Sequence, residues 1–157
     1  MGYALDLCRK IVDAVGKQLG VHGLAPKYLM VTPANRITMI EEGKADMECG
    51  STTNNAERRE KVAFTVPHYI TGARYLVRAD SPVSELRHFE GRRLASTKGT
   101  TPLKAIEAAN QQQLLNIQVV VAPDHRKAVE MVAAGEADGF AMDDVLLYGL
   151  RAERPDP

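Results

Sequence analysis

The sequence has no long apolar run and no excess of charge of either sign. Its 20 basic and 20 acidic residues sum to a formal charge of zero over 157 residues. They interleave along the whole length, so no basic stripe exists to neutralise phosphates or attract an anionic membrane. Nucleic acid is therefore not an expected partner. No apolar stretch approaches the length that crosses a bilayer. The chain opens Met1-Gly2-Tyr3-Ala4 without the basic and apolar regions of a secretory leader, and the expectation is that any such address has been removed. Myristoylation at Gly2 is discounted, because its signal needs Ser or Thr where Asp6 stands.

Cysteine is scarce as well. Cys8 falls in a helical pattern and Cys49 in an apolar, strand-like run; neither has a CxxC partner or a Cys or His at metal-ligand spacing. Buried free thiols are the favoured reading, with a Cys8–Cys49 bridge in an oxidising compartment as the alternative. No nucleophile arrangement and no metal set is recognisable, so no metal, no cofactor and no enzymatic activity are expected.

What is present is material for one ordinary domain or two small ones, with 45% hydrophobic and 25% charged residues. Leu5, Cys8, Ile11, Val12, Val15 and Leu19 recur at helical spacing, and Gly20 closes the pattern as a C-cap. Lys27 to Val31 reads as a short buried strand. Thr32-Pro33 reads as an N-cap with proline at the first helical position, opening a helix that stops at Gly43. Asp46 to Cys49 is the next expected strand. Gly50-Ser51-Thr52-Thr53-Asn54-Asn55 then forms a polar loop at a strand's carboxyl end, where open α/β sheets bind ligands.

His68 to Arg78 is β-rich and is expected to cross between lobes. Beyond it the pattern begins afresh: strand at Leu94–Ser96, loop at Lys98–Thr101, helix from Pro102, strand at Ile117–Val121, helix after Asp124, strand near Phe140 and a last helix after Asp143. One passage occurs twice. Met39-Ile40-Glu41-Glu42-Gly43-Lys44-Ala45-Asp46 and Met131-Val132-Ala133-Ala134-Gly135-Glu136-Ala137-Asp138 share their apolar pattern and a Gly-x-Ala-Asp turn. The same register sets Thr32 opposite Asp124 as helix caps, implying two copies of one supersecondary unit.

Asn35-Arg36-Ile37, the run Glu48 to Asn55 with Glu57-Arg58 after it, Gly99-Thr100-Thr101, Asp124-His125 and Met142-Asp143-Asp144 carry a resemblance across essentially the whole chain. They resemble the type II periplasmic solute-binding proteins of bacterial amino-acid ABC transporters, most closely the glutamate/aspartate-binding subgroup. The resemblance implies two α/β lobes, each a sheet flanked by helices, with residues 1–75 supplying part of lobe one, 76–157 most of lobe two, and a hinge near 73–79. It also implies a truncated molecule, shorter than its relatives at both ends. Exposed strand edges in such a molecule favour oligomerisation or strand exchange.

The site follows from the same resemblance. Arg36 matches the arginine that grips the ligand α-carboxylate through two parallel donors. Ser51 and Thr53 match positions that contact the α-carboxylate and ammonium, against the rival of plain turn chemistry. Thr100 and Thr101 precede a helix start and offer an anion site, with a simple N-cap by Thr101 as the compatible rival. His125 matches a histidine whose proton pairs it with an acidic side chain. Asp144 matches the carboxylate that receives the ligand ammonium, and Asp143 is the neighbour with which that role exchanges on a one-residue shift. Pro33 departs from the subgroup, which commonly has serine there. The function so implied is capture of a small amino acid, glutamate or aspartate, between the lobes, in the periplasm, for delivery to a membrane permease. A ligand-sensing domain of a receptor or regulator, and an enzyme using His125 and Asp144 as acid and base, are the rivals.

Overall fold

Apolar residues at three- and four-residue spacing wind Tyr3–Leu19 into the first helix, α1. Asp6 in its first turn and Lys17 in its last complement the helix dipole. Gly20 ends it in the left-handed region at φ 67°, donating its N–H back to Gly16 and Lys17, as the sequence predicts. The computed structural model describes residues 2–153. Within them the chain divides into two compact units, one of residues 2–31 and 35–65, the other of 32–34 and 66–153.

The first unit carries α1, α2 (Arg36–Glu41) and α3 (Ala56–Arg59). Cys8 on α1 is disulfide-bonded to Cys49, with the two Cα atoms 6.1 Å apart. This corrects the preference for free thiols. The two residues are far apart in sequence, but folding brings the Cys8 face of α1 over the residue that leads into the Gly50–Asn55 loop, within bridging distance. Helix α2 begins later than expected, with Asn35 rather than Thr32 at its N-cap. Neither Lys27–Val31 nor Asp46–Cys49 belongs to a ladder among the described residues, so the expected sheet of the first lobe does not form here. A strand exists only through a partner for its N–H and C=O groups, and apolar alternation cannot supply one.

The repeated passage is nonetheless real in both units. The carbonyl of Met39 accepts from Lys44 (2.9 Å) and Ala45 (3.1 Å); that of Met131 accepts from Glu136 (2.8 Å) and Ala137 (3.1 Å). Gly43 and Gly135 donate to Ile40 and Val132 at 3.0 and 3.1 Å, with φ at 65° and 73°. Both helices thus end in the same left-handed glycine turn, which a side chain would strain.

The second unit is a mixed sheet of β1 (Ala73–Leu76), β2 (Arg93–Thr97), β3 (Gln118–Ala122) and β4 (Gly139–Asp143) in the order β1-β4-β2-β3. Strands β2, β3 and β4 run parallel, and β1 is antiparallel to β4, with Ala73 opposite Asp143. β1 is paired into this sheet, and the second compact unit takes in the chain from Val66 onward. The crossovers are α4 (Thr101–Gln113) and α5 (His125–Ala133), and α6 (Asp144–Ala152) follows β4.

Strand alternation sends side chains to two cores. Ala95, Phe140 and Met142 pack with Ala128, Val129 and Val132 of α5 and Leu147 of α6. Leu94 and Ala141 face the other way, against Ile106 of α4, Phe89 and Ile117. Phe89 and Phe140 are fully buried, each contributing roughly 1.5–3 kcal/mol by leaving water. Tyr75 stands edge-on to Phe89 at 5.3 Å, and burial pushes its phenol pKa upward. At the amino end of the sheet Asp138, the last residue of the repeated turn, exchanges backbone and carboxylate contacts with Arg93, locking the turn to β2.

Candidate ligand-binding site

Three parallel strands present their carboxyl ends together, and the antiparallel β1 brings its amino end to the same edge. The loops there hold Thr71-Gly72, Lys98 to Thr101, Asp124-His125 and Asp143-Asp144. Open α/β sheets bind ligands at such an edge because strand ends and helix starts converge on it.

Gly99 turns the first loop at φ 80°, where a Cβ would meet the backbone of Pro33 and Ala34 at 2.6 Å. Only glycine fits there. Thr100, rather than Thr101, caps α4: its hydroxyl donates to the carbonyl of Thr97 (2.7 Å) and accepts from the N–H of Leu103 (3.4 Å). Thr100 is 2% exposed, so its side chain shapes the turn from inside, while Thr101 is half-buried at the start of the helix. Asp124 caps α5 as expected, accepting from Lys127 at 2.8 Å. That cap sets His125 at the first helical position, half-buried, with Nδ1 2.8 Å from the Thr97 hydroxyl and the ring 6.3 Å from Phe140.

Asp143 occupies the N-cap position of α6 and is buried; Asp144 follows as the first helical residue. The Asp144 carboxylate accepts from the Thr71 hydroxyl at 2.6 Å, and its N–H donates to the Gly72 carbonyl at 2.9 Å. These two bonds tie the segment entering β1 to the end of β4. The Thr71 bond engages one of the two oxygens of the Asp144 carboxylate.

In the first unit Arg36 is buried at the start of α2. Its guanidinium lies 3.8 Å from the Glu48 carboxylate, which also accepts from Thr52 at 2.8 Å. Glu48 packs so closely over Gly50 that a Cβ at that position would collide with it. Ser51 and Thr53 are exposed on the loop that follows. Arg58 donates to the Thr53 carbonyl (2.9 Å), Arg59 to Asn54 (2.8 Å), and Asn55 caps α3 by accepting from Arg58 N–H (2.9 Å).

The structure therefore gathers Thr100, Thr101, His125 and Asp144 on the second unit, and Arg36, Ser51 and Thr53 on the first. Three supporting residues escaped the sequence reading: Glu48, Thr71 and Thr97. Glu48 opens the motif run but carries no turn or cap signature. Thr97 looks like any β-branched strand residue, and Thr71 contacts Asp144 only through the antiparallel return of β1.

Comparison with known proteins identifies the family. The chain matches the bacterial extracellular solute-binding proteins, family 3, over residues 1–134. It is 37% identical to the L-glutamate/L-aspartate-binding protein of Pseudomonas aeruginosa, over 99% of this chain and 52% of that protein. It is 34% identical to the glutamate/aspartate import solute-binding protein of Escherichia coli, over 100% of this chain and 52% of that protein. The chain thus spans about half the length of the curated relatives it matches. Among solved structures, the arginine-bound form of a truncated ArgBP from T. maritima superposes with a TM-score of 0.85 at 25% identity, over 99% of this chain and 69% of that one. The chain belongs to the bacterial extracellular solute-binding proteins, family 3.

Proposed function

We propose that this chain binds a small acidic amino acid, glutamate or aspartate, without altering it, and that the protein delivers the ligand to the permease of an ABC importer. A free amino acid carries a carboxylate and an ammonium, and each must meet an opposite charge when it leaves water. Arg36, with Ser51 and Thr53, takes the α-carboxylate. Asp144 takes the ammonium, and the turn at Thr100-Thr101 with His125 takes the remaining oxygens. The observation that supports this reading is Asp144: a carboxylate at the edge of the mixed sheet where the parallel strands end, held through one oxygen by Thr71. The names of the relatives point to the acidic class. The Cys8–Cys49 bridge supports an oxidising compartment such as the periplasm.

Calorimetric titration of the full chain with glutamate and with aspartate tests the proposal, alongside Arg36→Ala. Binding of an acidic amino acid is expected, with the variant weaker by about a hundredfold or more, since a buried charge-assisted contact is lost. Unchanged affinity in Arg36→Ala, or steady conversion of the ligand followed by mass spectrometry, would refute it.

A further inference from the structure

Thr97 ends β2 with a fully buried side chain, and its hydroxyl lies 2.8 Å from Nδ1 of His125. A buried hydroxyl has one proton to donate, and leaving it without an acceptor costs more than the bond is worth. The neighbouring hydroxyl, that of Thr100, already donates to the Thr97 carbonyl at 2.7 Å. Among the described residues the Thr97 hydroxyl is bonded to Nδ1 of His125 and to no other group. The arrangement in which every buried group is paired has Thr97 donating to Nδ1, which places the ring proton of a neutral His125 on Nε2.

We propose that Thr97 is a positioning residue that holds His125 as its neutral Nε2–H tautomer, so that His125 presents a hydrogen-bond donor that needs no added proton. The consequence concerns ligand choice. A neutral N–H donates to a carboxylate oxygen or to a carboxamide oxygen, whereas an imidazolium prefers the carboxylate. His125 then anchors an oxygen-bearing side chain, and discrimination between glutamate and glutamine falls to other residues. This rests on the ligand-binding role proposed above for His125, but the tautomer itself is a property of the protein without ligand.

Imidazole 15N spectra of the full chain at mildly alkaline pH read the tautomer directly. The wild type is expected to show a protonated Nε2 and an unprotonated Nδ1 at His125. Thr97→Val should disperse that signal toward a mixture, and Thr97→Ser, which keeps the hydroxyl, should restore it. A wild-type proton on Nδ1, or an unchanged spectrum in Thr97→Val, overturns the assignment. Glutamate and glutamine are then titrated into wild type and Thr97→Val. Both affinities are expected to fall by a similar factor, about three- to tenfold, with their ratio preserved. A fall confined to glutamate overturns the neutral-donor role. If neither amino acid binds the wild type, the ligand-binding reading and the donor's role toward a ligand fail together, while the spectra still decide the Thr97–His125 tautomer.

Discussion

Two adjacent carboxylates, Asp143 and Asp144, could exchange roles on a shift of one residue, and the structure gives them different surroundings. Asp143 is buried at the N-cap position of α6, whereas Asp144 is half-buried and oriented by Thr71. Asp144→Asn keeps the Thr71 contact but removes the charge that we propose pairs with a ligand ammonium. It should weaken amino-acid binding about ten- to a hundredfold. An analogue lacking the amino group should bind wild type and variant alike, and calorimetry with both ligands checks this. If Asp143→Asn shows the selective loss instead, the roles belong the other way round. Gly139 poses a different constraint. Its Cα sits against the Phe89 ring, and a Cβ would stand 2.6 Å from Cζ. Gly139→Ala should cost about 1–3 kcal/mol by overpacking, seen as a lower denaturant midpoint at unchanged slope.

At the scale of elements, the sequence was most legible where the physics is local. Helix α1, its Gly20 cap, the Asp124 cap of α5 and the doubled Gly-x-Ala-Asp turn all depend on residues a few positions apart. The strands of the second unit were legible because their partners lie within the same stretch of chain. Lys27–Val31 and Asp46–Cys49 have an equally strand-like composition but no ladder among the described residues. Pairing is a long-range fact that composition does not encode. The disulfide was missed for the same reason, since a bridge across 41 residues depends on how α1 packs. Closing a loop of that length removes chain entropy worth about 4 kcal/mol from the unfolded state. Cys8→Ser with Cys49→Ser should therefore unfold α1 and loosen the Arg36–Glu48–Thr52 contacts while β2, β3 and β4 keep their amide protection. Hydrogen exchange resolved by peptide measures both; uniform loss across the chain would contradict it.

For the molecule as a whole, the contrast between the units decides its behaviour. In the first unit only Cys8, Gly16 and Arg36 are buried among the described residues, while the second holds both apolar cores. Met30 and Ile70 are 93% and 92% exposed, and Tyr28, Leu29 and Val66 are exposed as well. Tyr28, Leu29 and Met30 are consecutive, so apolar side chains project from that segment whichever way its backbone turns, and its own backbone groups enter no ladder among the described residues. Such a segment gains both burial and hydrogen bonds by adding to a strand of another copy. The 157-residue chain should accordingly self-associate as its concentration rises, with sedimentation equilibrium showing a mass above 17.2 kDa. Met30→Lys, which places a charge on the segment without touching either core or any proposed ligand contact, should shift the equilibrium back toward monomer. A chain that stays monomeric at high concentration, or an association that Met30→Lys leaves unchanged, would show that these side chains are covered in some other way.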